Sequence, residues 1–236
     1  MRRGTFRFAP VAVALLGVSF LFWPTAQIRS QDADVDLALV LAIDCSFSVD
    51  ANEFRLQMEG LGRAFMRDEV KAAIRRGDRQ RIAVTAMQWS DETNQMVVLP
   101  WTIVAGDADA DEVGAVLARM PRRLAEGGTS ISTALTYGAA LFSAAPATRR
   151  RVIDVSSDGR NNIGPPVNAA RDRIVARGIT INALVILNEW PTLDVYFENQ
   201  VVGGQAHFVI PADDYSAYAE AIYRKLLREI TGPGIS

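Results

Sequence analysis

Apolar positions fall into two patterns along this chain. Leu37–Ile43 is an unbroken apolar run of seven residues, the signature of a strand covered on both faces. Arg81–Trp89 and Gln95–Val104 follow, joined by Ser90-Asp91-Glu92-Thr93-Asn94. That link is too short for a crossover helix, so the two strands are expected to pair antiparallel. Pro100 lacks an amide hydrogen and places the second of them at the sheet edge. Arg151–Ser156, Ile179–Leu187 and His207–Ile210 complete the predicted strands.

Between the strands the spacing becomes helical. The first helix is predicted to open at Asp50, with Glu53 three positions on as a capping-box partner, and to carry Phe54, Leu56, Met58, Leu61, Phe65 and Met66 to about Ala73. Others are expected near Asp111–Arg119, Ser132–Phe142, Val167–Arg177 and Asp214–Ile230. In the last, Tyr218, Ile222, Leu226 and Ile230 stand four residues apart on one face. Asn188–Gln205 is the least regular stretch, with a short helix expected over Leu193–Val202 before Gly203-Gly204. Its aromatics, Trp190, Tyr196 and Phe197, read as core. The alternation predicts an α/β fold: a doubly wound, mostly parallel sheet with one antiparallel edge strand and helices on both faces.

Composition narrows the function. The chain has 236 residues, 49% hydrophobic and 22% charged, which suits one domain and excludes collagen-like, coiled-coil and wholly disordered readings. Residues 1–30 hold four arginines and no acidic residue, so without them the formal charge falls from −2 to about −6. An acidic body with few lysines offers no broad basic face, and nucleic acid is not an expected partner. The runs Arg149–Arg151 and Arg75, Arg76, Arg79, Arg81 are the exceptions, read as solvated charges before strands.

Arg2, Arg3 and Arg7 precede an uncharged stretch whose apolar centre, Val11–Trp23, is followed by Pro24-Thr25-Ala26. This is the layout of an export signal. Spanning about 30 Å of hydrocarbon takes roughly 20 apolar residues, so a cleaved signal is expected over a retained anchor. The expected organisation is a signal peptide or signal anchor over 1–30 and a domain over 31–236, periplasmic or extracellular, touching a membrane only through an uncleaved amino-terminal segment. The single cysteine, Cys45, has no partner for an internal disulfide and reads as packing rather than as a catalytic thiol.

In a doubly wound sheet, ligands sit beyond the carboxyl ends of the parallel strands where strand order reverses. Three segments belong there: Asp44-Cys45-Ser46-Phe47-Ser48, Gly127-Gly128-Thr129-Ser130, and Ser156-Ser157-Asp158-Gly159. They offer carboxylates and hydroxyls with no Cys or His ligand pattern, the donor set of a hard cation such as Mg2+ or Mn2+. Alternate residues of an extended turn project the same way, so Asp44, Ser46 and Ser48 can direct three oxygens at one point. Gly127 and Gly128 let the Thr129 loop approach closely. Asn161 and Asn162 read as turn-filling, Asp154 as a hydrogen-bonded structural residue, and Asp91, Glu92, Asp107, Asp109 and Asp111 as solvated loop acids.

Asp44-x-Ser46-x-Ser48, Thr129 after two glycines, and Asp158 before Gly159 together resemble the metal-ion-dependent adhesion site of von Willebrand factor A domains. The exported arrangement is similar to a bacterial family of uncharacterised proteins with such a core. The resemblance implies that Ser46, Ser48 and Thr129 coordinate the cation directly or through one water, that Asp44 and Asp158 act mostly through water, and that a partner protein supplies a carboxylate, with no catalysis. The alternative is a metal-assisted phosphatase or hydrolase with Asp44 as nucleophile. Ser46 stands where an enzyme of the haloacid dehalogenase type needs a second Asp. A serine hydrolase fits worse, since no G-x-S-x-G string is present.

Overall fold

In the computed structural model, which describes Met1 and residues 35–232, every residue of strand β1 (Leu37–Asp44) is buried. Its side chains alternate between two cores. Leu37, Leu39, Leu41 and Ile43 join one apolar cluster, while Ala38, Val40 and Ala42 join the other. That two-sided burial is why the run carries no polar alternation.

The remaining elements follow as α1 (Ala51–Met66), α2 (Asp68–Arg76), β2 (Ile82–Trp89), β3 (Gln95–Val104), α3 (Asp107–Ala118), α4 (Ile131–Leu141), β4 (Arg151–Ser157), α5 (Val167–Val175), β5 (Ile179–Ile186), α6 (Leu193–Gln200), β6 (Val209–Ala212) and α7 (Tyr218–Thr231). The sheet order is β3-β2-β1-β4-β5-β6. All neighbours are parallel except β2 and β3, so β3, with Pro100, is the antiparallel edge strand as its short connection requires. Helices α1, α2, α3 and α7 pack on one face and α4, α5 and α6 on the other. The order reverses between β1 and β4, which puts the crevice of this fold at the carboxyl ends of those two strands.

Several boundaries differ from expectation, each for a local reason. The helix expected over 50–73 is two helices. Asp50 does close a capping box with Glu53, but Arg67 turns extended (ψ 136°) and Asp68-Glu69 starts a second amphipathic helix that buries Val70, Ala73 and Ile74. Helix α3 begins at Asp107, not near Asp111, so Asp107, Asp109 and Asp111 are helical rather than loop residues. Acidic side chains suit a helix amino end, and Lys71 pairs with Asp111 at 2.6 Å. Asp214 caps a turn rather than α7 itself: its carboxylate accepts from Ser216 N (2.7 Å) and Ala217 N (3.1 Å), the main chain there closes three-residue turns from Ala217 N to Asp214 O (3.2 Å) and from Tyr218 N to Tyr215 O (3.4 Å), and α7 starts four residues later. The last strand is Val209–Ala212, so His207 lies outside it. Phe208 N donates to the side chain of Asn182, and regular pairing with β5 begins at Val209.

Asp154, in the middle of β4, meets a buried cation. Lys225 Nζ lies 2.5 Å from Asp154 Oδ1 and 2.6 Å from Glu229 Oε1, with Lys225 fully buried. Asn182 Nδ2 also donates to Glu229 Oε1 at 3.0 Å. This network fastens α7 to β4 and β5. Among the described residues no helix is long and apolar enough to cross a membrane. The expected export segment lies outside the described residues.

Candidate functional site

The turn after β1, the loop before α4 and the end of β4 meet at the β1–β4 switch point. Backbone bonds tie them together: Cys45 N donates to Trp89 O (2.8 Å), Phe47 N to Gly127 O (2.9 Å), Ser130 N to Ser90 O (2.8 Å) and Asn162 N to Thr129 O (3.0 Å). The loop glycines are needed for this approach. A Cβ at Gly127 would lie 2.8 Å from Asp91 Oδ2, and one at Gly128 would lie 2.9 Å from Ile163 Cγ2, both closer than carbon allows. Asp91, expected to lie away from the crevice, therefore packs against the loop that borders it.

The side chains converge as the backbone does. Ser48 Oγ donates to Asp158 Oδ1 at 2.6 Å, and Ser46 Oγ lies 3.3 Å from Ser48 Oγ. A Cβ placed on Gly159 would sit 3.5 Å from Thr129 Oγ1 and 3.9 Å from Ser48 Oγ. Those two hydroxyls thus face the same small space. Asp44 is fully buried and both its oxygens are engaged, Oδ1 by Ser46 N at 2.7 Å and Oδ2 by Ser157 Oγ at 2.5 Å. The structure brings Asp44, Ser46, Ser48, Thr129 and Asp158 into one cluster, all buried except the half-exposed Ser48.

Electrostatics mark this cluster as short of positive charge. Burial, and after it the charge of Asp158, push the Asp44 carboxyl up to about 7. Burial and the nearby Asp158 and Asp44 also hold the Tyr215 hydroxyl far above the usual range for tyrosine. Two fully buried carboxylates stand side by side, and no Lys or Arg forms an ion pair with either among the described residues. A divalent cation fits that deficit, and the hydroxyl-rich donor set fits a hard one. No group of three or more His, Cys, Asp or Glu side chains is gathered as a metal cluster among the described residues, so any ion here relies on Ser and Thr oxygens.

Five supporting residues stand outside the site expected from the sequence. Ser157, which holds Asp44, is adjacent to Asp158 and was within reach of the motif. Tyr215 donates its hydroxyl to Asp158 Oδ2 at 3.0 Å from the turn before α7. Asn162 is more than turn-filling, since its Oδ1 accepts from Thr129 N at 2.8 Å; Asn161 Oδ1 likewise accepts from Ser132 N at 3.2 Å. Arg122 reaches under the first loop, with Nη1 donating to Val49 O (2.7 Å) and Nη2 to Cys45 O (2.6 Å). No pattern in the sequence signals Arg122, because its acceptors are main-chain carbonyls 73 and 77 residues away.

An open cleft of about 560 Å³ lies over the cluster, walled by Phe47, Ser48, Glu126, Thr129, Asn162 and Glu189 among others. Phe47, between the two serines, is 77% exposed. Trp190, expected in the core, is also exposed and lies 5.2 Å from the Arg160 guanidinium, whereas Phe197 is buried as expected. Cys45 is buried, its thiol pushed up to about 12 by desolvation and by Asp44.

Comparison with known proteins agrees with this architecture. Solved structures with the same fold include proximal thread matrix protein 1 from the mussel byssus with a zinc-occupied MIDAS motif (TM-score 0.66, 16% identity, 84% of this chain and 48% of that one). Others are a von Willebrand factor type A protein from Catenulispora acidiphila (TM-score 0.56, 18%, 83% and 43%) and the conserved hypothetical protein BatB from Bacteroides thetaiotaomicron (TM-score 0.54, 15%, 83% and 100%). The chain spans about half the length of the mussel protein. No curated protein matches it. A family model described as protein of unknown function (DUF1194) matches residues 34–234.

Proposed function

Because the chain belongs to the DUF1194 family and has a von Willebrand factor A-like fold, we propose that it is a non-catalytic protein-interaction module that takes a partner's carboxylate on a divalent cation. The observation that carries this reading is the convergence of Ser46, Ser48 and Thr129 on one space beside two buried carboxylates with which no Lys or Arg pairs among the described residues. In it, Ser46, Ser48 and Thr129 hold Mg2+ or Mn2+ directly or through one water, and Asp44 and Asp158 act mostly through water. A cation held largely by neutral hydroxyls keeps positive charge to offer an incoming carboxylate. Ser157, Tyr215, Asn162 and Arg122 orient the donors, as outer-shell groups do in metal sites.

Asp44 suits this role better than that of a nucleophile. Both its oxygens already accept hydrogen bonds and none of its surface is exposed, while a nucleophile needs a free oxygen facing its substrate. The module is read as acting outside the cytoplasm, in keeping with the charge pattern of residues 1–30.

Recovery of a partner from cell envelopes tests the reading. A partner retained in Mg2+, released by chelator and lost with both Asp44→Ala and Thr129→Ala is the expected result. Retention that ignores chelator and both substitutions would contradict it, as would turnover of phosphate esters that Asp44→Asn abolishes.

A further inference from the structure

At the opposite end of the sheet, about 20 Å from the cation cluster by the rise of β4, lies a cavity of about 700 Å³ lined by Arg149, Arg150, Arg151, Arg228 and Glu229. Volumes of this size are typical of small-molecule sites. Four guanidinium-bearing residues on one cavity are notable in a chain of net charge −2, and among the described residues no carboxylate side chain forms an ion pair with any of them.

Helix ends account for only part of this gathering. Arg150 donates to the carbonyls of Ile230 (3.1 Å) and Glu229 at the end of α7, and Arg151 donates to Arg177 O beyond α5 at 2.5 Å. Both satisfy carbonyls that a helix terminus leaves unpaired, and each keeps further N–H groups. Arg149 is exposed and makes no such bond among the described residues. Arg228 Cζ sits 3.9 Å from the centroid of the Phe208 ring, a cation–π contact that uses none of its N–H donors. Glu229 borders the same cavity, but its carboxylate is buried against Lys225 and Asn182 on the inner side.

We infer that this cavity binds a phosphate group, with Arg149 and Arg228 as its unspent guanidinium donors and Arg150 and Arg151 beside them. The planar fork of arginine matches phosphate oxygens two at a time, and a preset contact such as that of Arg228 on Phe208 lowers the ordering cost of binding. The phosphate can belong to a soluble compound or to a lipid headgroup, and the chemistry of the cavity is the same for both.

The test uses the purified full chain with two probes: inorganic phosphate in titration calorimetry at constant ionic strength set by chloride, and flotation with phosphatidylcholine vesicles with or without phosphatidylglycerol. Saturable phosphate binding that Arg149→Gln combined with Arg228→Gln weakens about tenfold or more is expected, since each substitution deletes charge-assisted bonds. A preference for phosphatidylglycerol lost in the same variant assigns the phosphate to a headgroup, and phosphate binding without vesicle preference assigns it to a soluble compound. Arg149→Gln alone, at an exposed position, repeats the measurement should the double variant melt early. Binding of neither probe, or equal binding by wild type and variants, would overturn the inference.

Discussion

Asp44 is where burial, charge and ligation meet, and its carboxyl makes the metal-free protein sensitive to pH. Its folded-state value, about 7, stands above its ordinary 3.8, so between those values the folded chain holds a proton that the unfolded chain has released. Stability in chelator therefore falls as pH rises from about 4 to about 7. Glu229, also pushed up to about 7, adds a slope of the same sign, so Asp44→Asn is expected to flatten the pH dependence of urea midpoints only in part. Bound cation reverses the trend at the site, since ligation needs the carboxylate, and the gain in melting temperature on adding Mg2+ is expected to grow from pH 5 to pH 7.5. A gain that shrinks over that range would contradict the assignment of Asp44. Cys45 offers a simpler check. With its thiol held near 12 and fully buried, it is expected to resist alkylation at pH 8 until denaturant is added.

Among the elements, β1 and α7 show what an apolar pattern conveys and what it omits. The uninterrupted run of β1 and the four-residue spacing in α7 are direct consequences of which faces are covered, and both elements form. The break at Arg67 and the shift of the last strand to Val209–Ala212 could not be read in the same way. They depend on Val70, Ala73 and Ile74 finding a separate place in the core, and on the Asn182 side chain meeting Phe208 N. Long-range partners decide α7 as well: Lys225 sits on its buried face and reaches Asp154 at 2.5 Å. Removing one member of a buried ion network leaves the rest uncompensated, so Lys225→Met is expected to cost about 3–5 kcal/mol in urea denaturation. A loss under about 1 kcal/mol, the scale of a surface pair, would mean that the network contributes little.

Over the whole molecule, the sheet order with its reversal between β1 and β4 brings three sequence-distant segments to one point, and strand–helix alternation is enough to anticipate that crevice. That Asp44, Ser46, Ser48, Thr129 and Asp158 come together was legible because they occupy strand ends and a loop opened by two glycines. Tyr215 and Arg122 were not, because their contacts cross the fold and involve one carboxylate oxygen and several main-chain carbonyls. The account rests on a divalent cation joining that cluster, and ligand bound to the folded state alone stabilises it by mass action, about 2.7 kcal/mol at a hundredfold excess over Kd. Titration calorimetry with Mg2+ and Mn2+ measures this most directly. One ion bound per chain, with heat lost in Asp44→Ala and in Thr129→Ala while both variants remain folded, is the expected result. Absence of binding to the wild-type chain, or binding that both substitutions leave unchanged, would contradict it.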